Sequence, residues 1–365
     1  MLTLIGKWYE KTFSDPDALM LLLLIIIVSA LLLVLGGYLL PVLVAIALAY
    51  LLEGAVQKIE AVGASRSWSA TIVMLAFLGA MLLTLVTLLP TISQQTINFV
   101  EEIPSFWQQL QKWMLTLPQT YPEVVQEDQI RSFMSEINQK VVQASEQLIS
   151  VSFASLIGIG ALLIYCILVP LMMFFMLKDK HLLMTNIAEL LPKERRLISQ
   201  VSNEMNTQIG NYIRGKVIEI IIVGAVSCVT FALMDLRYAL LLGVLVGFSV
   251  LIPFIGAAIV TIPVGLVAYL QWGISAEFGY LMLAYAIIQA LDGNLLVPIL
   301  FSEAVSLHPL YIIVAVLFFG GMWGLWGVFF AIPLATLVKA VFNAWSQPHL
   351  NITDLPPQQQ TEESM

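Results

Sequence analysis

The chain predicts an all-α polytopic membrane protein: about six to eight membrane-spanning helices, two Gly/Pro-broken helical hairpins, and one further hairpin outside the bilayer. Three observations carry this. Hydrophobic residues make up 59% of the 365 and charged residues 11%, against about a quarter charged in an ordinary soluble domain. Apolar runs follow one another along the chain, several exceeding the ~18 residues that indicate a membrane helix. The remaining polar residues gather into two segments with helical periodicity.

The runs are Ala18–Leu35, Leu39–Leu52, Ser69–Leu89, Ser152–Leu177, Val217–Met234, Ala239–Leu270, Gly279–Leu300 and Leu310–Val338. They assign spans one to three to residues 1–90, span four to 151–177, and a core with both broken stretches to 217–345. No A-x-A cleavage site follows the first run, so it reads as a span rather than a signal peptide. Cys166 and Cys228 both fall in apolar runs, which argues for neither a disulfide framework nor zinc. The tail, 346–365, is rich in Gln, Glu and Pro and reads as disordered.

Charge sets the orientation. Residues 91–150 carry three basic residues (Lys112, Arg131, Lys140) and seven acidic ones, whereas 178–216 carry seven basic against four acidic. The positive-inside rule puts 178–216 in the cytoplasm and 91–150 outside. Counting spans then places the N-terminus, with Lys7 and Lys11, and the Lys58/Arg66 loop inside. In the outer segment Phe99, Ile103, Phe106, Leu110, Trp113 and Leu117 alternate spacings of four and three, and Ile130 to Val151 repeat the pattern after Pro118 and Pro122. That 3.5-residue seam suits helix–helix packing and predicts an external helical hairpin, with Pro104 as a kink or restart. The cytoplasmic segment carries Ile198, Val201, Met205, Ile209, Tyr212 and Ile213 on one side. It is expected along the membrane surface, with Arg195 and Arg196 as headgroup anchors.

Two late runs are too long for one span and short for two. Ala239–Leu270 is interrupted by Ile252-Pro253-Phe254-Ile255-Gly256, and Leu310–Val338 by Gly320–Gly327, which includes Gly321. Each half covers only about 20–25 Å, under a ~30 Å hydrocarbon core. Ile262-Pro263 and Ile332-Pro333 each lie six or seven residues beyond a glycine, Gly256 and Gly327. Paired broken segments at corresponding positions point to a solute site, and irregular backbone at membrane depth is tolerated where protein buries it or water reaches it. Tight turns outside the membrane remain the alternative. Pro253, Gly256, Pro263, Gly320, Gly321, Gly327 and Pro333 are the hinge candidates. A hairpin at the second break returns the tail, with Lys339, to the cytoplasm.

Between the broken runs lies QALDGNLLVPILFSEAVSLHPL. Intramembrane ionisable groups are expensive and default to a functional role. Gln289 and Asp292, three apart, share a helix face. Gly293 loosens the helix, and Pro298 frees the carbonyl of Asn294. Gln289, Asp292, Asn294 and Pro298 are therefore the pathway candidates, with Asp292 the acid best placed to trade a proton or sodium ion. A structural hydrogen bond to another span is the competing reading. Glu219, Glu303 and His308 are weaker: Glu219 has Lys216 nearby for a local ion pair, Glu303 fits an interfacial position, and His308 precedes Pro309 in a turn.

GNYIRGK (Gly210–Lys216), RYALLLGVLVGFSVLIPFIGAAIVTIP (Arg237–Pro263), Q-x-x-D-x-N-x-x-x-P (Gln289–Pro298), LHPL (Leu307–Leu310) and the glycine-rich close ending in AIP resemble the AI-2E transporter family. Within it the PerM-type permease branch matches best, over most of residues 18–345. Many members carry Glu where this chain has Asp292. The resemblance implies a bacterial inner-membrane protein of a family named for export of the signal autoinducer-2, with the substrate of the PerM-type branch left open; the broken runs make residues 217–345 the expected transport core. It implies homo-oligomers, pentamers by the family pattern, and an elevator-like motion. Some members are described as sodium/proton antiporters.

Enzymatic readings lack their parts: there is no H-E-x-x-H, G-x-S-x-G or Walker lysine loop, and the chain has three His. No cofactor, metal or nucleic acid is expected; lipids, a polar solute and H+ or Na+ are. A secondary transporter is the leading expectation, with the antiporter second. A non-transporting scaffold that binds through its external hairpin, and a channel, stay open.

Overall fold

The computed structural model describes residues 16–120, 165–190, 196–253, 255–301 and 307–346. Among these there is no strand, and six helices are long and apolar enough to cross a membrane. The second arm of the external hairpin (Ile130–Val151), Glu303 and the tail beyond residue 346 lie outside the described residues. By contacts the chain divides into two units.

The first unit comprises residues 41–178 and 216–300. Helix α1, Pro16–Ala61, enters it at Pro41. Ala18–Leu35 and Leu39–Leu52, expected as two spans, thus belong to one helix of 46 residues. The two runs are separated only by Gly36, Gly37 and Tyr38, poor helix formers but no polar turn, and Pro41 removes one ladder bond without ending the helix. Helix α2, Arg66–Thr120, is likewise unbroken through Pro104, so no restart occurs there and position 90/91 falls inside a helix. Arg66 joins α1 to α2, with Nη2 2.9 Å from Glu53 Oε2 and Nη1 2.9 Å from Glu60 Oε2. Beside it Ala45 and Val56 of α1, Ala70 and Val73 of α2, and Met173 and Leu177 of α3 (Tyr165–Lys178) form a buried cluster. Leu75, Leu82, Leu83, Val86 and Leu89 of α2 stay exposed on the chain, the apolar surface that a bilayer covers.

Helix α4, Lys180–Leu190, precedes α5, Arg196–Leu233, and the last part of α5 belongs to this unit. The run Ala239–Leu270 is divided, as its composition predicts, into α6 (Ala239–Ser249) and α7 (Ile255–Trp272). Gly256 returns directly onto the Ser249 carbonyl, leaving no space for a Cβ; in a continuous helix, residues seven apart lie ~10 Å apart, so the chain reverses here. Pro253 sits in this turn, where its carbonyl accepts from Ile255 N at 2.7 Å. Pro263, by contrast, lies within α7. Small residues then let α6 lie against α5: a Cβ on Gly247 would meet Gly224 Cα at 2.8 Å, and one on Gly243 would meet Cys228 N at 2.6 Å. This is the small-xxx-small packing of membrane helices. Helix α8, Ala276–Leu291, closes the bundle: Ser275 caps it, and Tyr285 Oη lies 3.2 Å from both Ala257 O and Thr261 Oγ1 of α7.

At the end away from the α6–α7 break, Leu241 N donates to Gln95 Oε1 of α2 at 2.9 Å, and Arg237 Nη1 lies 3.2 Å from Glu102 Oε2. Gln271 Nε2 donates to Asp235 O at 2.6 Å, and Tyr238 packs edge-on against Phe99. The Tyr238 phenol is pushed up to about 12, by burial first and by the Glu102 carboxylate next.

The second unit takes residues 1–40, 179–215 and 301–365. The stripe on α5 buries Leu197, Ile198, Val201 and Met205 against Ala340 and Val341 of α10 (Pro309–Ser346). The stripe expected along the membrane surface thus packs against a helix of this chain. Tyr212 Oη donates to Phe329 O at 2.9 Å. Helix α10 breaks at Gly324, whose φ of 60° and ψ of −138° are non-helical. Gly327 lies on the Phe319 carbonyl, and a Cβ on Gly320 would meet Val328 Cγ2 at 2.8 Å, so the chain doubles back as it does at Gly256. Gly321 has open space around it, and Pro333 lies inside the helix.

Candidate functional site

The predicted pathway residues cluster where α8 ends. Asp292–Leu296 form a π-helical turn before a short α9, Val297–Phe301, and the N–H of Val297 reaches back to Asp292 O. Gly293 and the missing N–H of Pro298 make the regular ladder weak here, and single π turns recur at functional positions. Asn294 is exposed and turns its amide back onto Ala290 O at 2.8 Å; Pro298 is exposed. Gln289 Nε2 and Asp292 Oδ1 are buried atoms with no hydrogen-bond partner among the described residues. An orphaned polar atom at membrane depth costs free energy.

A buried charged pair lies on α5. Lys216 is 4% exposed and Glu219 1%, and Lys216 Nζ lies 2.7 Å from Glu219 Oε2. The same ammonium donates to Val250 O at 2.7 Å. Val250 caps the C-terminus of α6, so the cation completes the partial negative end of that helix at the break itself. Asp292 lies within electrostatic reach of both Lys216 and Glu219. One ammonium and two carboxylates thus lie within electrostatic reach of one another, and the ammonium also holds a helix-end carbonyl. Lys216 was visible in the sequence only as a neighbour of Glu219; its contact with a backbone carbonyl 34 positions away left no side-chain signal. His308 belongs to the other unit: it is exposed, takes a hydrogen bond from Leu310 N at 3.2 Å and faces the Tyr311 ring.

The whole arrangement falls within one family model, that of the AI-2E family transporters, which matches residues 19–347. The chain belongs to the AI-2E transporter family. It is 48% identical over 345 residues to the Escherichia coli K12 protein named "Putative permease PerM", an alignment covering 94% of this chain and 98% of that one. "Putative transport protein YueF" of Bacillus subtilis is 26% identical over 309 residues, covering 83% and 82%. A Thermotoga maritima protein carrying the same transport label is 24% identical over 309 residues, covering 82% and 85%. AI-2E membership makes this a multi-pass membrane protein of a transporter family, and the charged cluster is the buried chemistry such a protein has to account for.

Proposed function

We propose that the chain is a secondary transporter, moving a small polar metabolite such as an autoinducer-2-like signal outward under a proton or sodium gradient. The observation that carries the reading is Asp292: Oδ1 is buried with no hydrogen-bond partner among the described residues, on a π turn within electrostatic reach of the Lys216–Glu219 pair. A purely structural carboxylate at this depth has its oxygens bonded; an unpaired one is a place for a proton, a cation or a solute hydroxyl. Gln289 offers a donor next to it, and the hinge glycines bound the segments that flank it. A second reading, sodium/proton antiport, is favoured by the same charges, since two carboxylates and one ammonium leave room for a single added positive charge. We place the protein in the bacterial inner membrane as a homo-oligomer, with both termini cytoplasmic and residues 91–150 outside.

The test is a solute screen in proteoliposomes under imposed proton and sodium gradients, run on the wild type and Asp292→Asn. The expected outcome is gradient-driven flux that the variant loses while its oligomer elutes unchanged. Undiminished flux in Asp292→Asn refutes the assignment, and a protein that moves nothing favours the scaffold.

A further inference from the structure

The turn that joins α5 to α6 breaks two rules of its own local sequence. Helix α5 closes with the bonds of a Schellman motif: Leu236 N donates to Phe231 O at 2.9 Å and Asp235 N to Ala232 O at 3.1 Å. The apolar pair of that motif, Leu236 and Phe231, is buried in one cluster. Such a close favours glycine at its left-handed position, yet the residue there is Asp235, with φ 53°. Three residues on, the N-cap of α6 favours Ser, Thr, Asp or Asn in extended backbone. It is Tyr238, left-handed at φ 60° and with no side-chain cap. Left-handed backbone costs any residue with a Cβ, and a bulky ring more than an aspartate.

Side chains from other helices supply what the turn lacks. The N–H that a cap would take, that of Leu241, donates to Gln95 Oε1 of α2 at 2.9 Å. Arg237 Nη1 lies 3.2 Å from Glu102 Oε2 and 3.4 Å from Oε1, and the Tyr238 ring meets Phe99 edge-on at 5.6 Å. Gln95, Phe99 and Glu102 are spaced by four and three, one face of α2. From α7, Gln271 brackets the turn, accepting from Arg237 N at 2.8 Å and donating to Asp235 O at 2.6 Å. We propose that this turn is a sprung catch: α2 holds it in a left-handed state that its own sequence disfavours, and when α2 shifts away the turn relaxes and the first turn of α6 unwinds. Because Gln271 ties the end of α7 to the start of α6, the catch secures the outer end of the whole α6–α7 hairpin. With glycine at position 235 and serine at 238, the left-handed residue and the cap would both come from within the turn. Here they depend on a separate helix, so the hold is given up when that helix moves. The inference goes beyond the transport reading and does not rest on Asp292.

The test is hydrogen–deuterium exchange over residues 234–242, on the full chain in lipid nanodiscs. Gln95→Leu keeps most of the bulk and loses the acceptor. It is expected to speed exchange about tenfold or more across 237–242, and not at Leu241 alone. Adding Asp235→Gly is expected to slow that exchange again by about threefold or more, because glycine takes the left-handed position without the penalty. Asp235 is exposed, so the second change removes little else. A turn that is not sprung gives the opposite sign: the added glycine loosens it further, and that result overturns the proposal. Unchanged exchange in Gln95→Leu overturns it too, as does a rise confined to Leu241, which is one ordinary hydrogen bond. Should Gln95→Leu fail to assemble, Glu102→Gln with and without Asp235→Gly is read by the same signs, with about threefold expected in the first step.

Discussion

Replacing Gly247 with alanine tests whether the α5–α6 crossing holds the charged site in place. The added methyl would sit 2.8 Å from Gly224 Cα and 2.9 Å from Ile220 O, while carbon atoms at rest prefer about 3.5–4.0 Å. All the opposing atoms are backbone, so the helices must part by about 0.7–1 Å. Overpacking of this kind costs roughly 1–3 kcal/mol. The displacement also reaches Val250, three residues on, where the Lys216 contact is 2.7 Å; adding an ångström carries it beyond hydrogen-bond range. A bond to a charged group contributes about 1.5–3 kcal/mol, so the combined loss is on the order of 2.5–6 kcal/mol. The assay is equilibrium unfolding in mixed micelles, with Gly279→Ala as control, since nothing lies within 4 Å of that position. The control is expected to gain up to about 1 kcal/mol from helix propensity. Equal stability for Gly247→Ala and wild type would refute the close-crossing argument.

Gly324→Ala is expected to destabilise by about 1–3 kcal/mol, because φ 60° with ψ −138° is a glycine conformation; Gly321→Ala, in open space, is the matched control in the same unfolding assay. Arg66→Met removes the cation between Glu53 and Glu60, whose side chains are 10% and 29% exposed, and should cost roughly 1–3 kcal/mol, with Lys recovering only part because it lacks the fork. The Tyr238 phenol, raised to about 12, gives a pH signature. Its folded value exceeds the unfolded one of about 10, so its contribution is whole below pH 10 and is lost as pH rises towards 12. Ultraviolet titration should show a late-ionising tyrosine that Glu102→Gln brings down; an unchanged titration counts against the contact.

The broken stretch at Ile252–Gly256 was legible because proline and glycine interrupt an otherwise uninterrupted apolar run. The second was legible as a region, yet Gly324 was not singled out: among several glycines in eight residues, composition does not mark the one with positive φ. The Asp292 turn was legible from Gly293 and Pro298, since both act on the backbone ladder directly. Three features were hidden for physical reasons. The stripe from Ile198 to Ile213 has the same pattern whether lipid headgroups or Ala340 and Val341 cover it. Gly36 and Gly37 look like a boundary, but two weak helix formers do not end a helix in apolar surroundings. Lys216 was hidden because Val250 offers only a carbonyl, which every residue has.

Helix α2 is 55 residues long, about 80 Å at 1.5 Å per residue. It is pinned at one end, where Arg66 meets Glu53 and Glu60, and gripped near its middle, where Gln95 and Glu102 meet Leu241 and Arg237. Mechanically that is a beam with a fulcrum and a point of applied force, and the helix runs on beyond both to Thr120. The grip at Gln95 lies about 44 Å from the fulcrum and Thr120 about 81 Å, so a sideways step at the α6 end is delivered at Thr120 nearly doubled.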